Sequence, residues 1–158
     1  MKSKLASAAV IAAAAALALT FALAATPKPV HWSLSARLTQ GDHVAAHLHA
    51  TIQSGWHLYA MNQTPGGPIA TRISLAPHQP FTLSGAIHEA VPHTQLDPNF
   101  NLKTSYYLGS ASFTIPLRAA SRTRAEASTV VINVRYQTCN DRICLPPTVI
   151  QLTAPVRH

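Results

Sequence analysis

Val134-Arg135-Tyr136-Gln137-Thr138-Cys139-Asn140-Asp141-Arg142-Ile143-Cys144-Leu145-Pro146-Pro147 holds the only two cysteines of the chain. The run leading into it, Thr129 to Tyr136, alternates with a period of two. Val130, Ile132, Val134 and Tyr136 share one face, and Thr129, Asn133, Arg135 and Gln137 the other. A second extended run, Thr148 to Thr153, follows two prolines, and Asn140, Asp141 and Arg142 suit a turn. The pattern predicts an antiparallel hairpin with Asn140 to Ile143 as its loop and Cys139 opposite Cys144. Opposed residues there have Cα atoms roughly 4.5–5.5 Å apart, a separation that a disulfide can bridge. The bond would close a loop of six residues, for which chain entropy gives roughly 2 kcal/mol, against about 4–5 kcal/mol for a loop of about a hundred. If the strand continues unbroken, Cys139 falls in phase with the polar residues, where another protein's thiolate reaches it. Geometry alone leaves an exchangeable redox pair and a plain hairpin staple equally open.

Upstream of the hairpin the chain is a succession of short strands. Trp32, Leu34, Ala36 and Leu38 alternate with polar positions, as do Val44, Ala46, Leu48, Ala50 and Ile52. Ser54-Gly55 turns the chain into Trp56 to Ala60, and Thr64-Pro65-Gly66-Gly67-Pro68 breaks it before Thr71 to Leu75. Phe81, Leu83, Ala86 and Ile87 mark one further strand, imperfect around Gly85. Ala111 to Leu117 is another, and a polar loop from Ala119 to Ser128 leads to the cysteine hairpin. No segment beyond the leader carries a clear amphipathic helical pattern. Strands punctuated by turns at this spacing predict an all-β fold, an immunoglobulin-like antiparallel β-sandwich.

The first 25 residues read as a cleaved signal peptide: Lys2 and Lys4, an apolar stretch from Ala8 to Leu23, and a small-x-small site at Ala22-Leu23-Ala24. No cysteine lies near that site, so a lipid anchor is not expected. The predicted domains are therefore 1–25, the signal peptide, and 26–158, a single globular domain. Export would carry the chain to an oxidising compartment, in a bacterium the periplasm. Without Lys2 and Lys4 the formal net charge of +7 falls to +5. The basic residues are scattered, without a stripe interleaved with aromatics, which argues against nucleic acid as a partner.

The cysteine segment also resembles a known family. Tyr136-Gln137-Thr138-Cys139 through Cys144-Leu145-Pro146-Pro147 looks like the signature of the N-terminal periplasmic domain of DsbD, the thiol:disulfide interchange reductase, also called the disulfide bond corrector family. Gly55-Trp56-His57-Leu58-Tyr59-Ala60, Gly66-Gly67-Pro68, Asp97-Pro98-Asn99-Phe100 and Tyr106-Tyr107 follow the family's order, so the likeness covers about residues 28–155. It implies the same immunoglobulin-like architecture and a redox-active Cys139/Cys144 pair. The pair would relay reducing equivalents between thioredoxin-like proteins, in disulfide isomerisation or cytochrome c maturation, without a cofactor. The resemblance further implies a cap loop over the cysteines, matched here by Asp97 and Phe100. Pro98 and Asn99 depart from the family's usual Asp-Glu-aromatic pattern at that loop. DsbD proteins continue into a membrane electron carrier and a thioredoxin-like domain. A chain complete at His158 would take its electrons from a separate protein, or serve as a partner-binding module with altered redox use.

Other chemistry is weaker. Arg142 would favour a thiolate and Asp141 oppose it, and Tyr136 and Ile143 are candidates either for shielding the sulfurs or for the core. His57 reads as structural. His43, His47 and His49 share one strand face, which would be an outer, solvated face; a metal site there is the distant alternative, since no acidic or cysteine ligand stands beside them. A non-enzymatic interaction domain whose disulfide only locks the hairpin is the nearer one.

Overall fold

A computed structural model describes residues 27–126 and 128–158, so the expected signal peptide lies outside the described residues. The described residues form twelve strands and one short helix in order. The first two strands, β1 (Val30–Leu38) and β2 (His43–Ile52), pair antiparallel along their whole length. After β3 (His57–Tyr59) and β4 (Arg72–Leu75) come two short strands, β5 (Phe81–Leu83) and β6 (His88–Glu89). The hairpin of β7 (His93–Asp97) and β8 (Leu102–Tyr107) leads to the long β9 (Ser110–Ala119). Helix α1 (Arg122–Glu126), β10 (Thr129–Tyr136), β11 (Thr138–Cys139) and β12 (Thr148–Arg157) complete the chain.

The strands form two sheets. The larger runs β4-β10-β12-β1-β2-β9-β5 with β6 also on β9, and the smaller runs β11-β3-β8-β7. All pairings are antiparallel except β1 with β12, which meet in parallel at Ala36 opposite Val156. The alternation that predicts β2 is the alternation that fills the core: Val44, Ala46, Leu48, Ala50 and Ile52 are all buried, while the histidines between them are exposed. Val130, Ile132 and Val134 of β10 join the same core as Phe113, Ile115 and Leu117 of β9, although the two strands are far apart in the sheet order. The large sheet therefore curls over a shared interior. Trp32 of β1 spans it, its ring centroid 5.2 Å from Tyr136 and 6.1 Å from Phe113. The immunoglobulin-like all-β fold is as expected, with one parallel pair added to it.

Three elements differ from the sequence expectation. Of the strand expected from Phe81 to Ile87 only Phe81–Leu83 forms, as β5; Ser84 to Ile87 belong to no strand, and β6 follows them at His88–Glu89, both strands pairing with β9. Inside the loop expected between Ala119 and Ser128, the Ser121 hydroxyl accepts from the Arg124 amide and Ala125 is fully buried, which is enough to form α1. The third difference decides the site. β10 and β12 do form the expected hairpin pair, with Tyr136 opposite Thr148. But the chain leaves the large sheet at Gln137, and Thr138 and Cys139 pair with Leu58 and His57 in the small sheet. The alternation that predicts Cys139 among the polar residues ends there. Cys139 is fully buried.

Candidate functional site

The disulfide links Cys139 and Cys144 across an isolated bridge, with Cα atoms 4.0 Å apart. Asn140 shapes the loop between them. Its side-chain oxygen accepts from the amides of Arg142 and Ile143, and its own amide donates to the Ile143 carbonyl. Gln137 fastens the base of the loop: its amide nitrogen donates to the Leu145 carbonyl and its amide oxygen accepts from Ile69 N. The two sulfur-bearing residues are unequal. Cys139 lies in the interior, whereas Cys144 is only half-buried, and Ile143 beside it is half-exposed. Arg142 and Asp141 are both exposed.

Around Cys139 stands a second apolar cluster, separate from the main core. Tyr59 and Tyr106 form it with Cys139, and Phe100 and Cys144 pack against it. The ring of Phe100 meets that of Tyr59 edge-on at 6.0 Å. Tyr136 packs instead on the main core and Ile143 faces outward, so neither belongs to the sulfur cluster. Phe100 is held there by the turn joining β7 to β8. Pro98 keeps Asp97 extended, and the Asp97 carbonyl accepts from the amides of Phe100 and Asn101. Asn101 takes the left-handed conformation that asparagine tolerates, with φ of 52°. Asn99, which departs from the expected acidic residue, reaches across: its side-chain nitrogen donates to the Asn140 carbonyl at 3.1 Å. The turn bearing Phe100 is thus tied directly to the cysteine loop.

Asp97 is nearly completely buried, and its carboxylate is fully engaged. It accepts from the Tyr59 hydroxyl at 2.6 Å, from Thr104 at 3.2 Å and from the Asn99 amide at 2.8 Å. Burial alone would raise its pKa, but these hydrogen bonds, Tyr59's foremost, outweigh it and hold the carboxyl below its ordinary value. His57, also buried, places Nε2 3.1 Å from the Tyr59 hydroxyl and 3.8 Å from Asp97. Desolvation pushes the imidazole below its usual value, against the opposing pull of Asp97 and Asp141. Burial, with the hydrogen bond to Asp97, drives the Tyr59 phenol far up, so it remains a neutral donor.

Of the residues singled out in the sequence, Cys139, Cys144, Asp97 and Phe100 come together. His43, His47 and His49 remain on the exposed face of β2, where His47 faces Thr114 and His49 hydrogen-bonds Ser112. Among the described residues no group of three metal-ligand side chains gathers. Sequence reasoning missed Tyr59, Tyr106 and the place of His57. The signal was there in His57-Leu58-Tyr59, whose alternation puts His57 and Tyr59 on one face of a strand.

Fold and site together define an immunoglobulin-like domain with a short-loop disulfide lodged under aromatic side chains. The chain belongs to the family described as thiol:disulfide interchange protein DsbD, N-terminal, whose model matches residues 23–154. By family it is a thiol:disulfide interchange domain. Its backbone resembles the N-terminal periplasmic domain of ScsB from Proteus mirabilis, with a TM-score of 0.59 and 18% sequence identity. That match covers 80% of this chain and 46% of the other, so the likeness spans about half the length of the ScsB domain. The collagen-binding subdomain of the Enterococcus faecalis surface protein ACE is a more distant match, with a TM-score of 0.33, 8% identity, and coverage of 80% of this chain and 96% of that one. No curated protein matches the chain.

Proposed function

We propose that the domain acts in the bacterial periplasm as a thiol:disulfide exchange module, with Cys139 and Cys144 as its redox pair. The observation that carries this reading is the asymmetry of the two cysteines: one sulfur-bearing residue is sealed in an aromatic cluster and its neighbour lies half-open at the rim. Cys144 is the sulfur a partner's thiolate attacks, or that attacks a partner's disulfide, and Cys139 is the resolving thiol. Phe100 and the Asp97 turn are the cap. They screen the pair from small oxidants and thiols and give way to a docking protein. The half-exposed Ile143 and Leu108 supply apolar surface at the rim for that docking.

The partners are thioredoxin-like proteins. A thioredoxin-fold reductase, on a separate membrane electron carrier or on the same polypeptide, reduces the pair, and the dithiol then reduces oxidised isomerases or cytochrome c maturation proteins. No cofactor enters the exchange. The test is covalent capture. A Cys139→Ser variant is expected to accumulate a mixed disulfide between Cys144 and a thioredoxin-like domain, resolved by non-reducing electrophoresis and mass spectrometry. Absence of the adduct, with free Cys144 titratable, would reject the reading. One observation favours the alternative of a structural staple in an interaction domain: the complete burial of Cys139. A staple, however, predicts no adduct with either cysteine variant.

A further inference from the structure

β11 and β3 pair with Cys139 directly opposite His57. Residues so opposed project from the same face, with Cβ atoms about 5 Å apart. His57 is thus the imidazole facing the buried cysteine from the neighbouring strand, beside Tyr59 on the same face. Around its ring stand Tyr59 of its own strand at 5.0 Å, Tyr106 of β8 at 4.9 Å, Asp97 of β7 and Asp141 of the cysteine loop. His93 of β7 stacks on Tyr106 beyond it. Among the described residues the charges acting on the ring are those of Asp97 and Asp141.

The hydrogen bonds fix which nitrogen carries the proton. Tyr59 has one hydroxyl hydrogen and gives it to Asp97 at 2.6 Å. The contact between His57 Nε2 and the same hydroxyl, at 3.1 Å, therefore requires Nε2–H as donor and the tyrosine oxygen as acceptor. Neutral His57 is left with a lone pair on Nδ1 that makes no hydrogen bond among the described residues and is not fully enclosed. The ring also lines a cavity of about 260 Å³ with Gly55, Asp97, Tyr106, Leu108 and Asp141, a route for a proton to solvent. Asp97, Tyr59 and His57 form a chain of hydrogen bonds that ends at the residue opposite Cys139.

We propose that His57 is the proton acceptor for Cys139 in the second half of exchange. The proposal rests on the exchange reading and adds a residue to it. In the step concerned, Cys144 is joined to a partner's sulfur after attacking the partner's disulfide. The Cys139 thiol passes its proton to His57 Nδ1, and its thiolate attacks the Cys144 sulfur. The Cys139–Cys144 bond forms, the Cys144–partner bond breaks, and the partner's sulfur leaves as a thiolate that takes a proton from water. Two electrons have then passed from the cysteine pair to the partner's disulfide. A buried thiol in apolar surroundings needs such an acceptor because burial disfavours the thiolate. The imidazolium formed lies 3.8 Å from the Asp97 carboxylate, which stabilises it. Because burial keeps the imidazole below its ordinary 6.5, it is unprotonated and ready to accept at neutral pH.

The test uses the reduced chain in excess over an aromatic disulfide whose released thiolate absorbs visible light. Attack by Cys144 releases the first thiolate, and resolution by Cys139 releases the second in a separate phase. In the unaltered protein the second phase is expected to level off above about pH 6.5 and fall at lower pH, as His57 takes up a proton. His57→Gln, whose amide still donates to Tyr59, is expected to slow that phase about 100-fold, with the first phase changed by less than about twofold and the acid break gone. A second phase of ordinary rate in His57→Gln, or equal slowing of both phases, would overturn the proposal. So would an unaltered protein whose second phase falls steadily from pH 8 without levelling, a result independent of how any variant folds. Release of one thiolate only, even at high pH, would instead reject the exchange reading beneath it.

Discussion

Phe100 and Asp97 sit in one turn and do different work. Phe100 is half-buried against Tyr59 and the cysteines, so Phe100→Ala is expected to leave the fold intact. It should raise the rate at which glutathione reduces the disulfide by about tenfold, an order-of-magnitude expectation for uncovering a shielded sulfur. Measuring reduction by thiol-labelling mass spectrometry checks this, and an unchanged rate would remove the cap. Asp97 anchors the turn. Asp97→Ala strands the Tyr59 hydroxyl in the interior and is expected to destabilise the domain by about 1–3 kcal/mol in urea titration. The carboxyl's pKa is held below its ordinary 3.8 in the folded state, so its stabilising contribution is present above that value and is lost as acid protonates it. His57 is also depressed, from 6.5. The unfolded chain therefore binds its proton first, and stability is expected to begin falling below pH 6.5. In His57→Gln that first decline should be absent, while the later one from Asp97 persists.

The hairpin of β10 and β12 was legible in the sequence because its inner positions alternate without interruption from Val130 to Val134. The site was only half legible. Alternation carried past Tyr136 predicts an exposed Cys139, and no local pattern announces that the chain changes sheets at Gln137. The change is made by long-range partners: Leu58 and His57 on β3, and the Ile69 amide bonded to the Gln137 side chain. β7 escaped sequence reasoning for a related reason. It is an edge strand with only Asp97 buried, so it carries no apolar alternation to read. Gln137→Ala tests its role as the clamp of the cysteine loop. It removes hydrogen bonds to Ile69 and Leu145 and is expected to cost about 1–2 kcal/mol. It should also speed amide hydrogen exchange at residues 138–145, leaving β2 and β9 protected.

Over the whole molecule, the apolar core and the redox site occupy different clusters. The main core is built from β1, β2, β9, β10 and β12, and the disulfide belongs to the small group around Tyr59 and Tyr106. Reduction should therefore leave the β-sandwich folded. The loss is expected to be about 2 kcal/mol, the chain-entropy value for a loop this short, read as a lowered urea midpoint with an unchanged slope. That separation suits a domain that must cycle between disulfide and dithiol while its surface stays recognisable to partners. The most direct test of the exchange function is stopped-flow reduction of the Cys139–Cys144 bond by a periplasmic thioredoxin-like domain, compared with glutathione at equal thiolate concentration. The domain is expected to react at least about 100-fold faster, with circular dichroism unchanged on reduction. Equal rates for the two reductants, together with loss of the β-sheet signal on reduction, would show that the bond is a structural staple.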